Sequence, residues 1–233
     1  MIDTSINGKW TLFLPEHRSL RPEWKIENGG WERKRLEKLH EVITDKDVFY
    51  YVGSEEGDMP ALCQIWGAKM VLFEPNPKVW SNTKAIWEAN KLETPMTFQG
   101  FCSTETKVID PVNGFNKGWP TCADDEIIAA HGFKELDKES QTYNQIRIED
   151  VAKQYLPPTI IALDVEGSEG HVLRGAEQTL REYKPKIFLS LHPEFMQNSF
   201  NESSDDLRDW LKSLGYTESL IEHPVHEWHY LYE

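Results

Sequence analysis

The sequence predicts an α/β fold with a mostly parallel sheet, helices on both faces, and an antiparallel strand at the end of the chain. Short, nearly continuous apolar runs alternate with segments of helical apolar spacing, which is the pattern of strands buried on both faces of a sheet. A glycine-rich turn follows the first of the buried strands. At 233 residues the chain is long enough for one compact domain with a proper core.

Each element is predicted from its periodicity and from the turn residues that flank it. A partly alternating run at 9–15 predicts an edge strand, and helical spacing predicts a helix at 31–43. The strands predicted after it are 47–52, 69–73, 96–101, 159–165 and 186–191, followed by a terminal hairpin that pairs 216–221 with 227–232. The helices predicted after it are 60–66, 78–90, 146–155, 168–183 and 204–214, the last closed by Gly215.

The elements divide into a short N-terminal region and a main domain. We expect residues 1–46 to form a cap of one strand and one helix, and residues 47–233 to form the main domain. Residues at about 104–143 break the rhythm with prolines, glycines and aromatic side chains. We interpret them as a long insertion, either a lid over a bound ligand or a disordered loop.

The composition narrows the classes of partner. The formal charge of -14, from 39 acidic and 25 basic residues, disfavours nucleic acid and anionic membranes. The densest basic run, 32–38, mixes both signs and predicts an exposed helix face. Three cysteines without metal-like spacing, Cys63, Cys102 and Cys122, favour a reducing compartment. No apolar run approaches transmembrane length, so we expect a cytoplasmic protein. The oligomeric state stays open, with a homodimer as one option.

A glycine turn and a strand-end carboxylate predict a bound nucleoside. Gly53 and Gly57 lie in the turn after the first buried strand, and Glu74 ends the next strand directly before Pro75. Backbone N–H groups at the start of a helix can hold an anionic ligand group, and the carboxylate can accept both ribose hydroxyls. Because ligands bind beyond the carboxyl ends of parallel strands, one crevice is expected to contain Gly53, Glu74, Cys102, Asp164 and His192.

A longer segment resembles a known family. Residues 163–176 read L-D-V-E-G-S-E-G-H-V-L-R-G-A, which is similar to the I-D-V-E-G-x-E-x-x-V-L-x-G-A signature of FkbM-type S-adenosylmethionine-dependent methyltransferases. The resemblance continues into K-P-K-I-F at 184–188 and the strand-end His192, is preceded by F-E-P-N-P at 73–77, and covers roughly 48–192. It implies a Rossmann-like class I methyltransferase fold with a seven-stranded sheet.

The chain departs from the family pattern in two places. Tyr51 stands where the family usually carries an Asp that meets the ammonium of the cofactor, and Ser54 and Glu55 replace an Ala-Asn pair. Glu55 or Glu56 could take over the role of that Asp. The family often has Glu-x-His at the end of the fifth strand, and here only His192 of that pair is present.

The site residues follow from the strand ends and the resemblance together. The candidates for cofactor binding are Gly53, Ser54, Glu55, Gly57, Glu74, Pro75, Asn76, Cys102, Ser103 and Asp164. The candidates for catalysis are Asp164, Glu166 and His192, with His192 as a general base because the usual pKa of histidine suits proton transfer near neutral pH. These three side chains could also accept Mg²⁺ or Mn²⁺, but a metal is not predicted. We expect the histidines of 223–229 to be exposed on a terminal strand.

The resemblance implies an S-adenosylmethionine-dependent methyltransferase that acts on an oxygen of a sugar, a glycan or a related small polar acceptor. Phe115, Trp119 and His131 of the insertion could stack on a sugar face or form a small core of their own. One alternative is a non-catalytic binding or scaffold protein, favoured by the altered turn at 51–55. Another is a nicotinamide-dependent oxidoreductase, disfavoured because the turn lacks the third glycine of G-x-G-x-x-G.

Overall fold

The computed structural model describes residues 1–126, 143–224 and 227–233. Its strands are β1 Ile2–Ile6, β2 Trp10–Leu14, β3 Val48–Val52, β4 Lys69–Phe73, β5 Met96–Phe98, β6 Gly100–Cys102, β7 Asn116–Lys117, β8 Asn144–Ile146, β9 Ile160–Leu163, β10 Lys186–Leu191, β11 Glu218–Glu222 and β12 Trp228–Tyr232. Its α-helices are α1 Glu16–Ser19, α2 Arg33–Val42, α3 Asp58–Ile65, α4 Trp80–Ala89, α5 Ile148–Gln154, α6 Glu169–Arg174, α7 Glu177–Tyr183, α8 Pro193–Phe200 and α9 Ser204–Ser213.

The central sheet has the order β11-β12-β10-β9-β3-β4-β5-β7. The pairs from β10 through β5 are parallel, and β12 runs antiparallel to both β10 and β11. The mostly parallel sheet with a terminal antiparallel strand is therefore confirmed. The strand count differs from the predicted seven because β7, only two residues long, adds an eighth strand by pairing antiparallel with β5.

Alternation along the strands gives the sheet two buried faces. In β3, Tyr50 packs on one face with α5, α6, α7 and α9, whereas Phe49 and Tyr51 pack on the other with α2, α3 and α4. Successive side chains of a strand point to opposite faces, so a run of five buried residues requires cover on both sides. Within the described residues, no helix is long and apolar enough to cross a membrane.

Three predicted elements differ in the structure, two because they are divided and one because it begins later. The predicted helix 168–183 breaks into α6 and α7 at Gly175, where a Cβ would lie 1.9 Å from the Ser103 carbonyl oxygen. The predicted strand 96–101 splits at Gln99, after which β6 leaves the main sheet and pairs with β8. The predicted helix 146–155 begins two residues later, because 144–146 forms β8. Contacts between distant segments cause all three differences.

The N-terminal region forms a hairpin rather than one edge strand. β1 and β2 pair antiparallel with Ile6 opposite Trp10, so the hairpin connection is the three residues 7–9, of which Asn7 and Gly8 have positive φ. Ile6 and Leu12 are fully buried against the same cluster as Phe49. The hairpin thereby covers one face of the main sheet.

The described part of the insertion packs on the domain. Trp119 lies edge-on to Trp87, with ring centroids 5.9 Å apart, and Phe115 lies edge-on to Tyr155 at 6.2 Å. Phe115 packs against one buried cluster and Trp119 against the other, so both rings join the core of the domain instead of forming a small core of the insertion's own. His131, the third aromatic candidate, lies outside the described residues.

Candidate active site

The glycine turn between β3 and α3 is fixed by contact with β9. Gly53 has a φ of +80°, and its N–H donates to the Phe73 carbonyl at 2.9 Å. A Cβ at this position would lie 1.8 Å from the Asp164 carbonyl oxygen, closer than any real contact. The close approach of two strand ends therefore explains this glycine without a ligand.

Glu74 is a buried carboxylate held by the backbone. Its Oε2 accepts the Glu55 N–H at 2.9 Å and its Oε1 accepts the Asn76 N–H at 2.8 Å. Burial raises its pKa to about 7, against the opposing effect of these two hydrogen bonds. Each carboxylate oxygen can accept more than one hydrogen bond, so both oxygens can still accept from ligand hydroxyls.

A cavity of about 190 Å³ lies beyond the carboxyl ends of β3, β4 and β9. Its walls combine apolar side chains such as Phe73, Phe101 and Val172 with several of the predicted site residues. The predicted residues that line it are Gly53, Glu55, Glu74, Pro75, Cys102, Asp164 and Glu166. A smaller pocket of about 30 Å³ shares Gly53, Glu55 and Asp164 and adds Ser54 and Gly57.

Asn76 and Ser103, both predicted to bind the cofactor, do not line the cavity but make hydrogen bonds and contacts that support its walls. The Asn76 side chain accepts the Lys78 N–H at 3.0 Å and caps a short 3-10 helix, while its own N–H supports Glu74. The Ser103 carbonyl packs against Gly175, and its N–H donates to Ile146. They shape the cavity through the backbone.

The carboxylates of the turn point in different directions. Glu56 Oε2 lies 2.9 Å from both His17 Nε2 and Asn82 Nδ2, so it is committed to the N-terminal region and α4. Arg18 pairs with Asp58 at the start of α3. Glu55 instead lines the cavity while its residue surface stays exposed to solvent, and partial loss of water together with the charge of Asp164 raises its pKa. Of the two substitutes for the missing Asp, Glu55 is the one that faces the pocket.

Arg35 corrects the prediction of an exposed helix face at 32–38. Its side chain is 1% exposed, and its guanidinium lies 2.7 Å from Glu32 Oε2 and 3.4 Å from Asp164 Oδ2. The Tyr51 hydroxyl is 3.5 Å away. The sequence contained an indication that Arg35 is buried, because Arg35 lies four residues before the buried Leu39 and therefore on the same face of α2.

His192 is surrounded by carboxylates. Its Nδ1 lies 2.7 Å from Glu169 Oε1, and its Nε2 lies 3.2 Å from Glu227 Oε2 and 3.7 Å from Asp164 Oδ1. Against the effect of burial, the hydrogen bond with Glu169 and the nearby charges of Glu227 and Asp164 raise its pKa to about 10. The ring therefore carries a proton at neutral pH, unlike the ordinary histidine assumed from the sequence.

The terminal hairpin also contributes to this cluster. His229, predicted to be exposed, is 1% exposed, with Nε2 3.2 Å from Glu227 Oε2 and Nδ1 3.3 Å from Glu222 Oε1. The antiparallel pairing of Leu191 with Trp228 brings the start of β12 beside the end of β10. Glu227 thus reaches His192 although 35 residues separate them in the sequence.

The family described as the methyltransferase FkbM domain matches residues 47–218. This match covers well over half of the chain, from β3 to the start of β11. The chain belongs to the FkbM methyltransferase family. No curated protein sequence matches it significantly.

Solved methyltransferases share the fold. An FkbM methyltransferase from Methylobacillus flagellatus KT is similar with a TM-score of 0.55 and 18% identity, over 82% of this chain and 44% of that chain. This chain therefore spans less than half of that protein's length. An rRNA methylase from Streptococcus thermophilus is similar with a TM-score of 0.51 and 10% identity, over 92% of this chain and 97% of that chain. The Rossmann-like class I methyltransferase fold is confirmed.

Besides Arg35, the site residues that the sequence analysis did not assign are Glu169 and Glu227. Glu169 is fully buried and accepts the Gly167 N–H at 3.1 Å as well as contacting His192. Its place in the signature was a signal, but an acidic residue at a helix start usually indicates helix stabilisation. Glu227 shares a strand face with His229, a pattern that gave no indication of its partner on β10.

Proposed function

We propose that this FkbM-family chain is an S-adenosylmethionine-dependent O-methyltransferase acting on a sugar, a glycan or a related small polar acceptor. The observation that carries the proposal is Glu74, a buried carboxylate at the wall of a cavity beyond the ends of the parallel strands. A carboxylate in that position can accept both hydroxyls of a ribose. The two backbone N–H groups that hold Glu74 leave each of its oxygens able to accept one more hydrogen bond.

The surrounding residues fit the rest of the cofactor. Phe73, Phe101 and Val172 give the cavity apolar walls suited to a nucleobase. Ser54 Oγ is buried and has no hydrogen-bond partner among the described residues, so it can bind a polar group in the small pocket. Glu55 and Asp164 repel each other across this pocket. A positively charged ligand group between them would relieve that repulsion.

When bound, S-adenosylmethionine would supply a methyl group carried on a positively charged sulfur. The acceptor oxygen would bond to the methyl carbon as the carbon–sulfur bond breaks. The chain must orient the acceptor, exclude water and take the hydroxyl proton. Glu166 lies at the mouth of the cavity with a φ of +52°, and loss of water raises the pKa of its carboxyl. We assign Glu166 as the base that takes the proton of the acceptor hydroxyl, because a carboxyl with a raised pKa is the better base near neutral pH. His192, already protonated, would orient the acceptor.

The acceptor class follows from the charge and the polarity of the mouth. Asp164, Glu166 and Ser168 present oxygen atoms that can accept hydrogen bonds from hydroxyl groups. A net charge of -14 disfavours a phosphate backbone as the acceptor. A neutral, hydroxyl-rich molecule suits this surface best.

The first experiment is calorimetric titration of the purified protein with S-adenosylmethionine. We expect affinity on the order of micromolar, lost in Glu74→Ala and kept in Glu105→Ala, an exposed carboxylate just beyond β6. NAD serves as the control ligand for the oxidoreductase alternative. Binding of NAD would favour that alternative, and binding of neither ligand would favour the scaffold alternative.

The second experiment measures methyl transfer to a panel of sugar acceptors by mass spectrometry. Glu166→Gln is expected to keep the affinity for S-adenosylmethionine and to lower the rate by about 100-fold, the usual range for loss of a general base. An unchanged rate in this variant would remove the assignment of Glu166. A methyl group found on nitrogen or carbon of the product would contradict the O-methyltransferase assignment.

A further inference from the structure

A second group of side chains lies beside the cofactor cavity, at the junction of β9, β10 and β12. Asp164 follows β9, His192 follows β10, and Glu227 precedes β12. One ligand atom from each of these residues lies within 4.8 Å of the other two. The carboxyl ends of two parallel strands and the start of an antiparallel strand bring them together.

The distances suit a bound cation. His192 Nε2 lies 3.2 Å from Glu227 Oε2 and 3.7 Å from Asp164 Oδ1. Adjacent ligands of an octahedral ion with bonds of about 2.1–2.2 Å are about 3 Å apart. The two distances from His192 are within about 0.7 Å of this spacing, and the Asp164 and Glu227 ligand atoms lie within 4.8 Å of each other.

The residues behind these three atoms hold them in place. His192 presents Nε2 because its Nδ1 contacts Glu169 Oε1 at 2.7 Å, and Glu169 is fully buried. Imidazoles that bind metals commonly place their other nitrogen against a carboxylate in this way. Such support fixes the direction of the ring.

His229 holds Glu227 from behind. His229 is 1% exposed, with its Nε2 3.2 Å from Glu227 Oε2 and its Nδ1 3.3 Å from Glu222 Oε1. A buried histidine beside a carboxylate fixes the direction of that carboxylate, as Glu169 fixes the ring of His192.

The charge selects the class of ion. Asp164 and Glu227 together supply two negative charges, and Glu166 Oε2 adds a third carboxylate 4.0 Å from His192 Nε2. Two carboxylates and one imidazole form a donor set that accepts divalent Mn²⁺ or Mg²⁺. We propose that Asp164, His192 and Glu227 bind a divalent cation beside the cofactor cavity, and that the proton on His192 Nε2 is released to water as the ion binds. There it would contact an acceptor hydroxyl and lower the pKa of that hydroxyl.

The test is binding of Mn²⁺ to the full chain, followed by electron paramagnetic resonance of the free ion. We expect one Mn²⁺ per chain, displaced by excess Mg²⁺. Glu227→Gln keeps the shape of the side chain and removes the charge, and it is expected to weaken binding by about tenfold or more. Glu194→Gln, an exposed carboxylate two residues after His192, is the matched control and should bind as the wild type does.

Circular dichroism of each variant establishes that the fold is intact. Absence of Mn²⁺ binding by the wild type would overturn the site, and so would equal binding by the wild type and Glu227→Gln. Several weak sites that ignore the Glu227 change would indicate nonspecific binding to the acidic surface and would also overturn it. The measurement uses neither methyl donor nor acceptor, so its failure leaves the methyltransferase proposal standing.

Discussion

Replacement of Gly53 by alanine tests whether the turn is shaped by the protein itself or by its ligand. Gly8 is the matched control, because it also has positive φ, at +66°, but a Cβ there would contact nothing within 4 Å. Both variants carry the cost of a left-handed residue, about 1–2 kcal/mol. Only Gly53→Ala adds a collision, since its Cβ would meet the Asp164 carbonyl oxygen at 1.8 Å.

The added cost is that of overpacking a rigid site. The two strand ends must separate by more than about 1 Å to relieve the collision, and such shifts cost about 1–3 kcal/mol. For a chain of this size, an extra 2 kcal/mol corresponds to a melting temperature lower by about 6 °C. We therefore expect Gly53→Ala to melt about 6 °C below Gly8→Ala.

Thermal unfolding without ligand, followed by circular dichroism, measures this difference. Equal melting temperatures for the two variants would refute the view that the β9 carbonyl requires the glycine. A normal melting temperature for Gly53→Ala combined with lost cofactor affinity would instead assign the glycine to close approach of the ligand.

Three further perturbations test the charged contacts. Arg35→Met should lower the free energy of unfolding by about 3 kcal/mol, measured in urea, because it leaves Asp164 and its neighbours without their buried cation. Affinity for S-adenosylmethionine, titrated between pH 5 and 8, should fall about tenfold per unit below pH 7, since burial raises the pKa of Glu74 to about 7 and only its ionised form accepts both ribose hydroxyls. A pH-independent affinity would contradict this. Glu218→Gln should destabilise the protein at pH 7, because the hydrogen bond from Arg208 lowers the pKa of Glu218 to about 2. That stability is present above pH 4.5, the ordinary value, and is lost as the pH falls towards 2, so the two unfolding curves should converge in acid.

The fold was predictable because its determinants are local. β3 and β4 are continuous apolar runs, and the turn at Gly53 and the end of β4 at Pro75 are marked by the residues themselves. Periodicity failed where a distant backbone intervened. The helical pattern at 168–183 contains two glycines, of which Gly170 lies inside α6 and only Gly175 interrupts the helix. The contact of Gly175 with Ser103 is set by the return of β6, some 70 residues earlier.

The candidate site was predictable only in part, for a related reason. Glu74 and Asp164 each follow a strand, and the carboxyl ends of parallel strands share one edge, so their convergence follows from the topology. Arg35 and Glu227 come from a helix before the sheet and from the terminal hairpin. No periodic pattern in the sequence specifies which charged side chain Arg35 or Glu227 will contact in the folded protein.

Asp164 connects these two kinds of residue. Its carbonyl packs against Gly53, its Oδ2 lies 3.4 Å from Arg35, and its Oδ1 lies 3.7 Å from His192. A shift of the glycine turn must therefore move the carboxylate beside His192, because Asp164 carries both contacts. The altered turn at 51–55 consequently need not indicate a lost site. Tyr51 fills the place of the family's Asp and lies beside Arg35, whereas Glu55 and Asp164 line the small pocket and would supply negative charge to the proposed cofactor.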